Sequence, residues 1–276
     1  MAGSGRFCAS LHRWLCCALL ALASGLAQAG RACENKVASA SSVERSMTLA
    51  ARTAARLDDS GANVVVLARM GQNLSRYGLR YSHLGFAYRE PTDLALNVPG
   101  KPVWRVVHKL NQCGTAQSAL YRQGLGEFFL DDLFEYEAAL VVLVPEVQTR
   151  LLATLRDNTL VARLNTPAYN MLAYPWASTY QQSNQWAIET LAMTQDGSAN
   201  TRERAQAWLR LKGYEPTPLH LSAFTRLGAR ATQANIAFDD HPNAKRFSDR
   251  IETVTVDSVF SWLNRSGLGS TVQVIR

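Results

Sequence analysis

Three apolar runs in quick succession constrain this chain most: NVVVLARM at 63–70, RYSHLGFAYRE at 80–90 and WRVVHKLN at 104–111. Each has the length of a strand and is rich in β-branched or aromatic residues. Turn-forming segments separate them: Gly71 to Gly78, then EPTDLALNVPGKP. Successive strands joined this way predict an antiparallel sheet. In the second run Leu84, Phe86 and Tyr88 share one face, and Tyr81, His83, Gly85 and Ala87 share the other. The second face sets one imidazole beside two residues with almost no side chain.

Helical periodicity surrounds these strands. Val43, Met47, Ala50, Ala54 and Leu57 predict a helix over 41–58, with Ser41 and Glu44 at capping-box spacing. Pro145 suits a first helical position and leads an apolar stripe of Val147, Leu151 and Leu155. The segment SNQWAIETLAM from Ser183 reads as a helix after an aromatic connection, YNMLAYPWASTYQQ. A further helix is expected at about 201–212, closed by Gly213. The tail offers a strand-like IETVTV, a short helix DSVFSWLNR that Asp257 can cap, and a terminal STVQVI. The expected fold class is α+β, an antiparallel sheet packed on helices. Its divisions are an N-terminal helical segment at 30–60, a core at 61–195 and a C-terminal α/β extension at 196–276.

The first 29 residues read differently. Arg6 and Arg13 precede the apolar run WLCCALLALASGLA, which ends in Ala27-Gln28-Ala29. Basic start, short apolar centre and small-residue exit make a secretory signal peptide, with cleavage near Ala29-Gly30 and a periplasmic or secreted product. No later run is long enough to span a membrane, so no stable membrane insertion is expected after cleavage. The formal charge of +7 loses two positive charges with the signal and is spread over mixed segments such as DDHPNAKR. That pattern gives no footprint for nucleic acid. Cleavage also removes Cys8, Cys16 and Cys17. The remaining pair, Cys33 and Cys113, predicts one disulfide in an oxidising compartment. The competing reading of Cys113 as a nucleophile leaves Cys33 unexplained.

Few residues suit chemistry. His83 has space around it, and His108 shares a face with Trp104, Val106 and Leu110. A register with Arg89 near Pro102 sets His83 opposite His108. Ser183 opens a helix, where backbone N–H groups can receive an oxyanion; the same position suits an ordinary N-cap serine. Tyr174, Trp176 and Tyr180 are expected to wall a cleft. Asp239, Asp240 and His241 lack a second ligand group at metal spacing, so a capped turn before Pro242 is the better reading. Gly124-Leu125-Gly126 is not followed by the lysine of a phosphate loop. No metal and no organic cofactor is implied.

The order of these pieces resembles the circularly permuted branch of the papain-like superfamily, related to NlpC-type cell-wall peptidases and lecithin:retinol acyltransferases. That resemblance rests on RYSHLGFAYRE, on WRVVHKLN and on the helix opening at Ser183. It implies that His83 is the base, that His108 orients it, and that Ser183 stands where the family has a nucleophilic cysteine. The implied function is hydrolysis or acyl or peptidyl transfer at an amide or ester bond of an envelope component, whether peptide, glycan or lipid. The alternative is a non-catalytic envelope-binding protein using the same cleft. Over nearly all of its mature length, including NQCGTAQSALYRQGLGEFFLDDLFEYE, the chain also resembles a proteobacterial family of exported proteins, domain of unknown function 2145.

Overall fold

A computed structural model describes residues 38–91 and 102–276. The segment expected to be a signal peptide, Cys33 and most of the loop that ends at Pro102 lie outside the described residues. The elements in chain order are α1 (Ala40–Asp59), β1 (Val64–Met70), β2 (His83–Glu90), β3 (Val103–Asn111), β4 (Ser118–Gly124), α2 (Leu125–Phe129) and β5 (Glu135–Val142). There follow α3 (Pro145–Arg156), α4 (Asn158–Ala162), α5 (Ser183–Gln195), α6 (Arg202–Leu211), β6 (Thr217–His220) and α7 (Ala223–Thr232). The chain closes with α8 (Asn243–Arg246), β7 (Arg250–Thr253), α9 (Val256–Arg265) and β8 (Gln273–Ile275).

Six strands form one sheet in the order β4-β3-β2-β1-β5-β8, every pairing antiparallel. β1 is buried along its whole length, as expected for an unbroken apolar run covered on both sides. On one face Val66, Leu84, Phe86, Tyr88 and Val107 pack with Leu151 of α3, Trp186 and Leu191 of α5, and Trp262 of α9. On the other, Leu67, Ala87, Trp104 and Val106 pack with Leu49 and Leu57 of α1 and Phe128 and Phe129 of α2. The period-2 alternation of β2 therefore separates two cores.

The expected register differs by two residues. Arg89 pairs with Trp104 and Phe86 with Val107, not Arg89 with Pro102. An even shift keeps every side chain on its face, so His83 and His108 still share one, as diagonal neighbours. Gly85 allows this. A Cβ there would meet His108 Cβ and Val107 O, each at 2.9 Å.

Two caps also fall elsewhere. Ser39, not Ser41, caps α1, accepting from Ser42 N at 3.1 Å. Thr255, not Asp257, caps α9 through a reciprocal box with Ser258. Beyond residue 196 the chain mixes helices and strands. β8 joins the main sheet beside β5, and Leu209, Phe260 and Trp262 belong to the α3/α5 core. Only the β6–β7 pair gathers a small cluster of its own, Leu219, Leu221, Phe238 and Ile251.

Candidate functional site

His83 opens β2 and His108 lies near the end of β3. Both rings point to the α2 face, where each packs near Phe128, at centroid distances of 6.0 and 5.1 Å. His83 Nε2 lies 2.8 Å from His108 Nδ1. His108 Nε2 lies 2.7 Å from Gln123 Oε1 on β4, and Gln123 Nε2 donates to Glu127 Oε1 on α2 at 3.0 Å. His83 and His108 are buried, while Glu127 is at the surface.

Burial holds the His83 imidazole well below its usual range, and the charges of Arg69 and His108 push the same way. His108 is held down to about 4, again chiefly by burial and then by Arg69, with Gln123 and Asp131 opposing. Arg69 is itself engaged, donating to Asp131 Oδ2 at 2.6 Å and to the Phe128 carbonyl. Both imidazoles are thus neutral near pH 7. A neutral ring can accept a proton, although the same burial makes it a weaker base. With Nε2 taken by His108, the ring nitrogen of His83 left for such work is Nδ1.

Ser183 is the first residue of α5, and Gln182 is its cap. The Gln182 side chain accepts from Asn184 N at 3.1 Å, and its amide group donates to Thr253 Oγ1 and to the Val254 carbonyl. The expectation of Ser183 as an N-cap is therefore not met; glutamine reaches the role because a second anchor on the β7–α9 junction holds it. The Ser183 hydroxyl has no hydrogen bond among the described residues, and neither do the backbone N–H groups of Ser183 and Gln185. One residue further on, Asn184 Oδ1 accepts from Leu84 N at 3.2 Å. That bond ties the start of α5 to the start of β2.

A pocket of about 300 Å³ opens at this junction, with His83, Gln182, Ser183 and Asn184 on its wall. Its aromatic residues are Tyr77, Tyr81 and Tyr169, and Leu172, Leu219, Leu221 and Ile236 give it an apolar lining. Tyr174, Trp176 and Tyr180 do not line it. Tyr174 packs against His241, Trp176 against Tyr214, and Tyr180 donates to Asp239 Oδ2 at 3.1 Å. Both ends of the connection that carries them, Tyr169, Met171 and Leu172 on one side and Gln182 on the other, line the pocket while its middle does not, so the aromatic wall comes from Tyr77, Tyr81 and Tyr169 instead. His241 is structural: Nδ1 faces Asp240 Oδ1 at 2.9 Å and Nε2 faces Glu252 O at 3.1 Å. Among the described residues no three His, Cys, Asp or Glu side chains gather as metal ligands, and no helix is long and apolar enough to cross a membrane.

His83, His108 and Ser183 were legible in the sequence; Gln123, Glu127 and Gln182 were not. Gln123 reaches His108 through a strand pairing, His108 beside Tyr121, that no local pattern announces.

The family model described as "Uncharacterized protein conserved in bacteria (DUF2145)" matches residues 56–263. The chain belongs to this family. The matched span of this DUF2145 member holds every residue of the histidine chain and of the pocket named above. No curated protein matches it, and no solved structure does.

Proposed function

We propose that this DUF2145 chain is an exported hydrolase, or acyl or peptidyl transferase, acting on an amide or ester bond of an envelope component from a permuted papain-like core. The observation that carries this reading is the His83–His108 pair at 2.8 Å, with His83 and an uncommitted serine on the wall of one pocket. Ser183 Oγ attacks the substrate carbonyl carbon, and its proton passes to His83 Nδ1. The N–H groups of Ser183 and Gln185 supply donors for the oxyanion. As the tetrahedral species collapses, the carbonyl–leaving-group bond breaks and His83 returns the proton to the departing amine or alcohol. Water or a second acceptor then takes the acyl group from Ser183.

One arrangement favours a second reading, a non-catalytic binding protein using the same pocket: the His83 ring points to the α2 face of the sheet, Ser183 opens the helix packed on the other face, and no hydrogen bond joins the Ser183 hydroxyl to His83. Unliganded catalytic pairs are often slack, so a reactive probe separates the two. A fluorophosphonate is expected to label Ser183 in the folded mature protein, as found by peptide mass spectrometry, and His83→Gln is expected to abolish that labelling. Failure to label Ser183 removes the catalytic reading and leaves the binding protein.

A further inference from the structure

Two residues outside the pocket fix which nitrogen of His83 carries the proton. The Glu127 carboxylate can only accept hydrogen bonds, and it faces Gln123 Nε2 at 3.0 Å. The Gln123 amide is thereby turned so that Oε1, which has no proton, faces His108 Nε2 at 2.7 Å. His108 must then donate from Nε2. A neutral imidazole carries one ring proton, so His108 Nδ1 is bare and accepts. Its partner at 2.8 Å, His83 Nε2, must therefore be the donor, and His83 Nδ1 is left with its lone pair free.

We propose that Glu127 and Gln123 are positioning residues that act through His108 to hold His83 as the Nε2–H tautomer, with Nδ1 bare. Reversing the Gln123 amide reverses every bond: His108 becomes Nδ1–H, His83 accepts at Nε2, and His83 Nδ1 carries a proton. In that state it cannot take one from a nucleophile. The Glu127 carboxylate disfavours this arrangement because the Gln123 oxygen would then face it, acceptor against acceptor. Burial keeps both rings neutral, so each holds a single proton to be assigned. Phe128 packs near both rings and limits their rotation.

The inference rests on the proposed function only for its purpose; the tautomers themselves are measurable without any activity. Long-range ¹H–¹⁵N spectra of ¹⁵N-histidine-labelled mature protein distinguish Nδ1–H from Nε2–H rings. Both His83 and His108 are expected as Nε2–H in the wild type. Gln123→Leu, which removes the acceptor, is expected to give each ring as a mixture of tautomers, and Gln123→Glu, which restores an acceptor, to return His108 to a proton on Nε2. A wild-type spectrum with His83 as Nδ1–H overturns the inference, and so does a folded Gln123→Leu protein with both tautomers unchanged. Expected spectra without fluorophosphonate labelling of Ser183 mean that the positioning chain stands and the hydrolase reading fails.

Discussion

Gly85 and His108 touch across the β2–β3 ladder so closely that a Cβ on Gly85 would come within 2.9 Å of His108 Cβ and equally near the Val107 carbonyl. The small residue two places after His83 is thus a spacer that lets the second imidazole lie diagonally beside the first. Gly85→Ala is expected to force the strands apart or displace His108. Overpacking of this kind costs about 1–3 kcal/mol, readable by urea unfolding. Loss of fluorophosphonate labelling should accompany it. Unchanged stability would show that β3 yields without effort and that the spacer role is wrong.

Ser183 and Gln182 divide two tasks that one residue often combines. Because Gln182 caps α5, Ser183→Ala should leave stability within about 0.5 kcal/mol of wild type while abolishing labelling. Gln182→Ala should cost about 1 kcal/mol or more, since it removes a cap and two buried bonds to the β7–α9 junction. Thermal and urea unfolding of the two variants side by side tests the division. A destabilised Ser183→Ala would return that serine to a structural role.

The alternation of His83, Gly85 and Ala87 against Leu84, Phe86 and Tyr88 carried enough information to sort β2 onto two cores. It was insensitive to register, because a two-residue slip preserves face. For that reason the His83–His108 pairing was legible although the exact strand partners were not. The caps were harder. Ser39, Ser41 and Ser42 are equivalent in composition, and only the backbone turn decides among them. Tyr174, Trp176 and Tyr180 lie off the pocket that holds His83 and Ser183, because aromatic composition marks burial, not direction: Tyr174 packs on His241, Trp176 on Tyr214, and Tyr180 donates to Asp239. β8 is three residues long, too short for its β-branched Val274 and Ile275 to announce a place beside β5.

Glu189 should be the most sensitive polar position outside the site. Its fully buried carboxylate accepts from Gln181 Nε2 at 2.6 Å, Gln206 Nε2 at 2.7 Å and Arg202 Nε at 2.8 Å. Gln181 also accepts from Lys109 Nζ at 2.9 Å, so one network joins α5, α6 and β3. Glu189→Ala strands the Arg202 guanidinium without its counter-charge and is expected to cost roughly 3–5 kcal/mol. Glu189→Met combined with Arg202→Met should cost clearly less, because the buried guanidinium is removed together with its counter-charge. Equal losses in the two proteins would mean that packing, not charge pairing, sets the penalty.

The histidine pair should make the protein acid-sensitive in a defined window. Both folded-state values are lowered, His108 to about 4. Below the unfolded value of about 6.5 the unfolded chain therefore binds protons that the folded chain refuses. Stability falls as pH drops through that point, and the His108 share stops growing once that ring charges near pH 4. For His108 the loss is on the order of 3 kcal/mol. His108→Gln should flatten the stability curve between pH 6.5 and 4 relative to wild type, whereas carboxylate contributions remain common to both. Parallel curves would show that the buried ring titrates normally.

Cys113 is exposed in the β3–β4 turn, and its expected partner Cys33 lies outside the described residues. Pairing them would tie the chain ahead of α1 to the end of the strand that carries His108. The bond would close a loop of about 80 residues, for which chain entropy sets an upper contribution of roughly 4–5 kcal/mol. Protein recovered from an oxidising compartment and unfolded without reductant should show no free thiol at Cys33 or Cys113 with a thiol reagent read by peptide mass spectrometry. Reduction should then lower the urea midpoint. Two free thiols in the unreduced protein refute the pairing, and a midpoint indifferent to reduction would mean that the disulfide protects the chain without stabilising its fold.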